Sequence, residues 1–123
     1  MGSDDLVGFV STTSPERARE FYEEVLGLTL REASPFALVF DANGTMLRVT
    51  TVAELAPAPY TVLGWLVNDI ARTVRDLGGK GVAFLRFAGM EQDELGIWTT
   101  PGGDRVAWFH DRDGNTLSVT QFA

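Results

Sequence analysis

Two ten-residue segments of this chain are partial copies of each other. Asp41-Ala-Asn-Gly-Thr-Met-Leu-Arg-Val-Thr50 and Asp111-Arg-Asp-Gly-Asn-Thr-Leu-Ser-Val-Thr120 agree at five of ten positions: Asp, Gly, Leu, Val and Thr. Self-similarity at one fixed separation marks a chain built from repeated supersecondary units. Each copy opens on Asp, Asn and Gly, which bond to their own backbone and accept positive φ, and then alternates polar with apolar residues. Each therefore predicts a turn followed by the second arm of a hairpin. The first arms are the apolar runs Ala37-Leu-Val-Phe40 and Val106-Ala-Trp-Phe109.

The repeat extends upstream, where each half carries one helix. Ala18, Phe21, Tyr22, Val25 and Leu26 fall at helical spacing within Pro15 to Leu26. Ser14 is the expected N-cap, Pro15 the first helical residue and Gly27 the stop. In the second half Asp69 caps a helix whose buried stripe is Ile70, Thr73, Val74 and Leu77, ending near Gly78 and Gly79. A strand precedes each helix, Leu6 to Ser11 and Thr61 to Val67, and another follows each, Thr29 to Glu32 and Val82 to Phe87. The order is strand, helix, strand, strand, strand, twice. Module one spans about 4–52, a Pro- and Ala-rich linker about 53–59 and module two about 60–123. Residues 88–95 form an acidic loop holding Glu91, Asp93 and Glu94.

Composition closes several routes. With 45% apolar and 22% charged residues the chain is in the globular regime. No apolar run approaches the roughly 20 residues of a bilayer span, and Met1 to Asp5 lacks the basic flank and apolar core of a signal peptide, so a cytoplasmic location is expected. The absence of cysteine removes disulfides, a thiolate nucleophile and Cys-rich zinc sites. A net charge of −7 repels nucleic-acid phosphates and anionic lipid, and would draw a cationic small molecule.

The doubled unit, with Phe21-Tyr22-Glu-Glu-Val-Leu-Gly-Leu28 on the first helix and Phe109-His-Asp-Arg-Asp-Gly-Asn-Thr-Leu117 near the end, resembles the vicinal oxygen chelate superfamily. That group includes glyoxalase I, bleomycin-resistance proteins and extradiol dioxygenases. The resemblance implies an α+β fold of two βαβββ modules whose curled sheets enclose a cavity, and it implies a homodimer. It also implies four metal-ligand positions, which fall on Val7, Arg48, Val62 and Ser118. Valine has no donor atom, arginine is a permanent cation and a lone serine hydroxyl is a poor ligand for a divalent transition metal. His110 is the only histidine, so no cofactor or metal is expected.

Strand parity places Met46, Arg48 and Thr50 on one face with Val7, Phe9 and Ser11. In the second half it groups Thr116, Ser118 and Thr120 with Val62, Gly64 and Leu66. The expected ligand-binding residues are Phe9, Met46, Arg48, Tyr60, Val62, Trp98, Trp108 and Ser118. Trp65 falls on the helix-facing side. Trp98 and Trp108 suit an aromatic wall for a planar or cationic ligand, or a subunit interface. Arg48 calls for a carboxylate partner, an anionic ligand or an exit to solvent. Catalytic candidates are Arg48 as an oxyanion stabiliser with His110, Tyr60 or Glu91 as proton carrier. His110 equally suits a surface residue beside the turn aspartate Asp111. The expected function is metal-independent binding of a small, partly aromatic molecule. The alternatives are a metal-independent lyase or isomerase built on Arg48, and a dimeric regulatory module.

Overall fold

The computed structural model describes residues 1–123. The chain forms two compact units, Met1–Pro57 and Ala58–Ala123. Each pairs one helix with a four-stranded mixed sheet, an α+β architecture.

In the first unit, strand β1 (Val7–Thr12) leads into helix α1 (Pro15–Arg19), which widens into a π-helical segment, Glu20–Val25. Strands β2 (Thr29–Ala33), β3 (Ala37–Ala42) and β4 (Thr45–Thr51) follow. The spatial order is β1-β4-β3-β2, with β1 parallel to β4 and the other pairs antiparallel. Alternation explains which face is buried. Val10, Leu38 and Val49 share one row and Leu47 and Phe40 the next, and all five are buried on the helix side. Tyr22 meets Phe40 with ring centroids 5.9 Å apart and Phe21 edge-on at 5.4 Å.

Two details of α1 depart from expectation. Ser14 occupies the N-cap position with extended backbone, but its side chain makes no capping bond. Thr12 closes the corner instead: its Oγ1 accepts from Ser14 N at 3.0 Å and donates to Ser14 O at 3.1 Å. At the other end Leu26 N donates to Phe21 O at 2.9 Å, the five-residue spacing of a π turn, before Gly27 stops the helix at φ 76°.

The second unit holds β5 (Leu63–Leu66), α2 (Ile70–Gly79), β6 (Trp98–Thr99), β7 (Arg105–His110) and β8 (Thr116–Gln121). Its order, β5-β8-β7-β6, repeats that of the first. Asp69 caps α2 by accepting from Arg72 N at 3.1 Å, and Gln121 Oε1 accepts from Ile70 N at 2.9 Å. Ile70, Val74 and Leu77 are buried, whereas Thr73 turns back to donate to Asp69 O. Gly78 and Gly79 remain inside the last turn, and the first residue with positive φ is Gly81.

The expected strand Val82 to Phe87 does not form. Its only ladder contacts are the bridge between Phe84 and Phe109 and a bond from Leu85 N to Trp108 O. Beyond Leu85 the chain turns away, because Phe87 N donates to the Gln92 side chain rather than to β7. The rest of that edge is taken by β6, with Trp98 beside Val106 and Thr99 beside Arg105. No helix of either unit is long and apolar enough to cross a membrane.

Candidate ligand-binding site

Each unit presents the sheet face opposite its helix, and the two faces differ in chemistry. In the second unit β8 runs between β5 and β7, so its register sets that face. Gly64, Ser118 and Trp108 form one row; Leu66, Thr120, Val106 and Trp98 form the next. The alternate positions Leu117, Phe109, Val119 and Ala107 pack under α2, together with the half-buried Trp65.

Trp108 is the centre of an aromatic cluster. Trp98 lies 6.2 Å away between centroids at 31°, and Phe87 meets Trp108 edge-on at 5.3 Å. Both tryptophans are half-buried, leaving ring surface open. Ser118 is only 6% exposed, and its hydroxyl makes no hydrogen bond within the chain. Gly64 gives that hydroxyl its place, since a Cβ there would lie 2.9 Å from Ser118 Oγ.

Phe87 is held by a tied loop. Gln92 accepts from Phe87 N at 2.8 Å and donates to Leu85 O at 2.8 Å and Gly96 O at 2.9 Å. Arg86 donates to the carbonyls of Asp93 and Glu94, and Asp93 Oδ1 accepts from Leu95 N and Ile97 N. The acidic loop is therefore fastened to itself, with the buried Ile97 as its anchor. The sequence offers neither Phe87 nor Gln92 as a site residue; both depend on closure of an irregular loop, for which no periodic signal exists.

In the first unit the matching rows are Val7, Met46 and Asp41, then Phe9, Arg48 and Val39, then Ser11, Thr50 and Ala37. Phe9 is 61% exposed and Met46 is also exposed. Val7, Val39, Asp41 and Met46, with Asp5, Leu6, Arg31 and Phe40, line a pocket of about 390 Å³. Arg48 is half-buried.

His110 is exposed at the end of β7, opposite Thr116, while Tyr60 and Glu91 are exposed on separate loops. Within the second unit, no hydrogen bond or ion pair joins these three to one another. Val62 is exposed just before β5, where its backbone N donates to Thr116 O at 2.9 Å. Thr116 also fastens the preceding segment by donating to Ala58 O at 2.9 Å.

Two strand-helix-three-strand units, each ending in a hairpin of the same register, define a class of paired-module proteins. Residues 7–119 match the family model of the Glyoxalase/Bleomycin resistance protein/Dioxygenase superfamily, and the chain belongs to that superfamily. Among solved structures it is similar to TnmS3, an antibiotic binding protein from a Streptomyces species. The two are 26% identical over 98% of this chain and 97% of that one, with a TM-score of 0.74. A superfamily member from Sphaerobacter thermophilus is 20% identical over 97% of each chain, with a TM-score of 0.75. TioX from a Micromonospora species is 17% identical over 98% of this chain and 100% of its own, at 0.74. No curated protein matches the sequence.

The residues at the four metal-ligand positions implied by the resemblance do not fit a divalent ion. Val7 and Val62 offer no donor, Arg48 is cationic, and Ser118 contributes one neutral hydroxyl. No three His, Cys, Asp or Glu side chains cluster closely enough to hold a metal.

Proposed function

We propose that this chain is a binding protein that holds a small, partly aromatic molecule against the tryptophan face of its second unit, without a metal ion. The observation that carries this reading is the open cluster of Trp98, Trp108 and Phe87 beside the unpaired Ser118 hydroxyl. A flat ring stacked on Trp108 gains roughly 0.5–1.5 kcal/mol beyond its buried area. An acceptor on that ring would give Ser118 the partner it lacks. Similarity to an antibiotic binding protein agrees with this reading.

The test uses two rings of one shape, quinoline with an acceptor nitrogen and naphthalene without one, followed through the tryptophan indole N–H signals in NMR. Saturable shifts of Trp98 and Trp108 with a silent Trp65 are expected, with quinoline binding the tighter. Trp108→Ala should weaken both by about tenfold or more, the loss of one stacked hot-spot aromatic. Equal, unsaturable drift of all three tryptophans would overturn the proposal.

A further inference from the structure

Arg48 has no partner. The chain's four ion pairs join the N-terminus to Asp4, Arg19 to Glu23, Arg31 to Asp41, and Arg72 to Asp76. No hydrogen bond reaches the Arg48 guanidinium either. Its neighbours across the sheet are apolar, Phe9 on β1 and Val39 on β3. Two acids share its face and neither serves it. Glu32 lies one strand further, beyond Val39, and is exposed. Asp41 sits in the next row, opposite Met46, where it accepts from Gly44 N at 3.0 Å and faces Arg31 at 3.8 Å. Arg48 is half-buried beside these apolar side chains, and an anionic partner would replace the hydration that this burial removes.

The room beside it is mixed, apolar on Leu6, Val7, Val39, Phe40 and Met46 and charged at Asp5, Arg31 and Asp41. Val39, the cross-strand neighbour of Arg48, also lines the 390 Å³ pocket, with Val7, Leu6 and Met46. Pockets of this size suit small molecules with a mostly apolar body and few polar groups. The pocket's own cation, Arg31, already faces Asp41 at 3.8 Å, whereas Arg48, one row further along the sheet beside Val39, has no carboxylate of its own.

We infer that the first unit carries a carboxylate-binding site of its own. The apolar body of the ligand lies in the pocket against Val7, Val39 and Met46, and its carboxylate pairs with the forked guanidinium of Arg48. Thr50, two residues along on the same face, supplies a hydroxyl toward the same head group.

The experiment compares 4-phenylbutyrate with its uncharged amide, read by the Met46 methyl and Arg48 Nε–H signals in NMR. The acid should bind about tenfold or more tighter than the amide, the yield of one charge-assisted pair. Arg48→Gln should remove that preference while amide binding is unchanged, and Arg48→Lys should retain part of it. Equal binding of acid and amide overturns the inference, as does a preference that survives in Arg48→Gln or a Met46 methyl that stays still at saturating acid. The tryptophan indole signals report the other face, so failure of this site and failure of the aromatic reading are told apart in one titration.

Discussion

Asp41 and Asp111 hold the same place in the two repeats and do unequal work. Asp111 is buried, and its carboxylate accepts from Asp113 N and Asn115 N at 2.9 Å and from Asn115 Nδ2 at 2.8 Å. Asp41 is half-exposed, and the one backbone N–H shown donating to it is that of Gly44, at 3.0 Å. Removing an acceptor costs most where water cannot replace it. Asp111→Ala should therefore lower stability by about 2–4 kcal/mol, against about 1 kcal/mol or less for Asp41→Ala, measured as shifts of the urea midpoint at constant slope. Equal losses would show that burial does not set the difference. The turn role of both aspartates was legible in the sequence, because an aspartate bonding to its own next few residues needs no distant partner. The failure of Ser14 to cap was not legible, since the neighbouring Thr12 hydroxyl, which bonds both Ser14 N and Ser14 O, is as good a hydrogen-bonding group by residue type.

At the scale of elements, what was legible follows the same line between local and distant causes. The two helices, the paired hairpins and the strand parity are written in spacing over a few residues, and the positions alternate to the face opposite the helices, Leu47, Val49, Leu117 and Val119, are buried. The outer edge of the second sheet is not. A strand of two residues, Trp98–Thr99, has no periodicity to read, and Val82 to Phe87 loses its place because Gln92 captures Phe87 N. The loop 85–97 is thus an element organised around one side chain. Gln92→Ala removes three hydrogen bonds at once and frees Phe87 from Trp108. The expected result is faster proteolytic cleavage within 88–95 and a loss of about 1–3 kcal/mol, with the circular dichroism of the fold retained. Unchanged cleavage would mean that Arg86 and Asp93 suffice to fasten the loop. The aromatic wall was legible only in part: Trp98 and Trp108 stand out as residue types, but Phe87 joins them through a closure that no sequence pattern announces.

Across the whole molecule, the question that separates this chain from metal-dependent relatives of its fold is where donor atoms lie. Divalent transition metals are held by three or four converging imidazole, thiolate or carboxylate groups. This chain has one histidine and no cysteine, so nearly every donor would have to be a carboxylate. Its 17 acids are numerous enough, yet no three of them cluster with one another or with His110. Asp69, Asp93 and Asp111 are already bonded to backbone N–H groups, and Asp41 is shared between Gly44 and Arg31. At Arg48 a fixed positive charge adds repulsion to the absence of a ligand. Elemental analysis of the dialysed, tag-free protein should therefore find less than about a tenth of an equivalent of zinc, nickel, iron or manganese, because a site lacking convergent donors does not survive dialysis. The titrations with quinoline and 4-phenylbutyrate should give the same affinities with and without a chelator. A tightly held stoichiometric metal would mean that His110 and nearby carboxylates converge in a way the strand register does not bring about, and chemistry at that ion would then displace binding as the leading function.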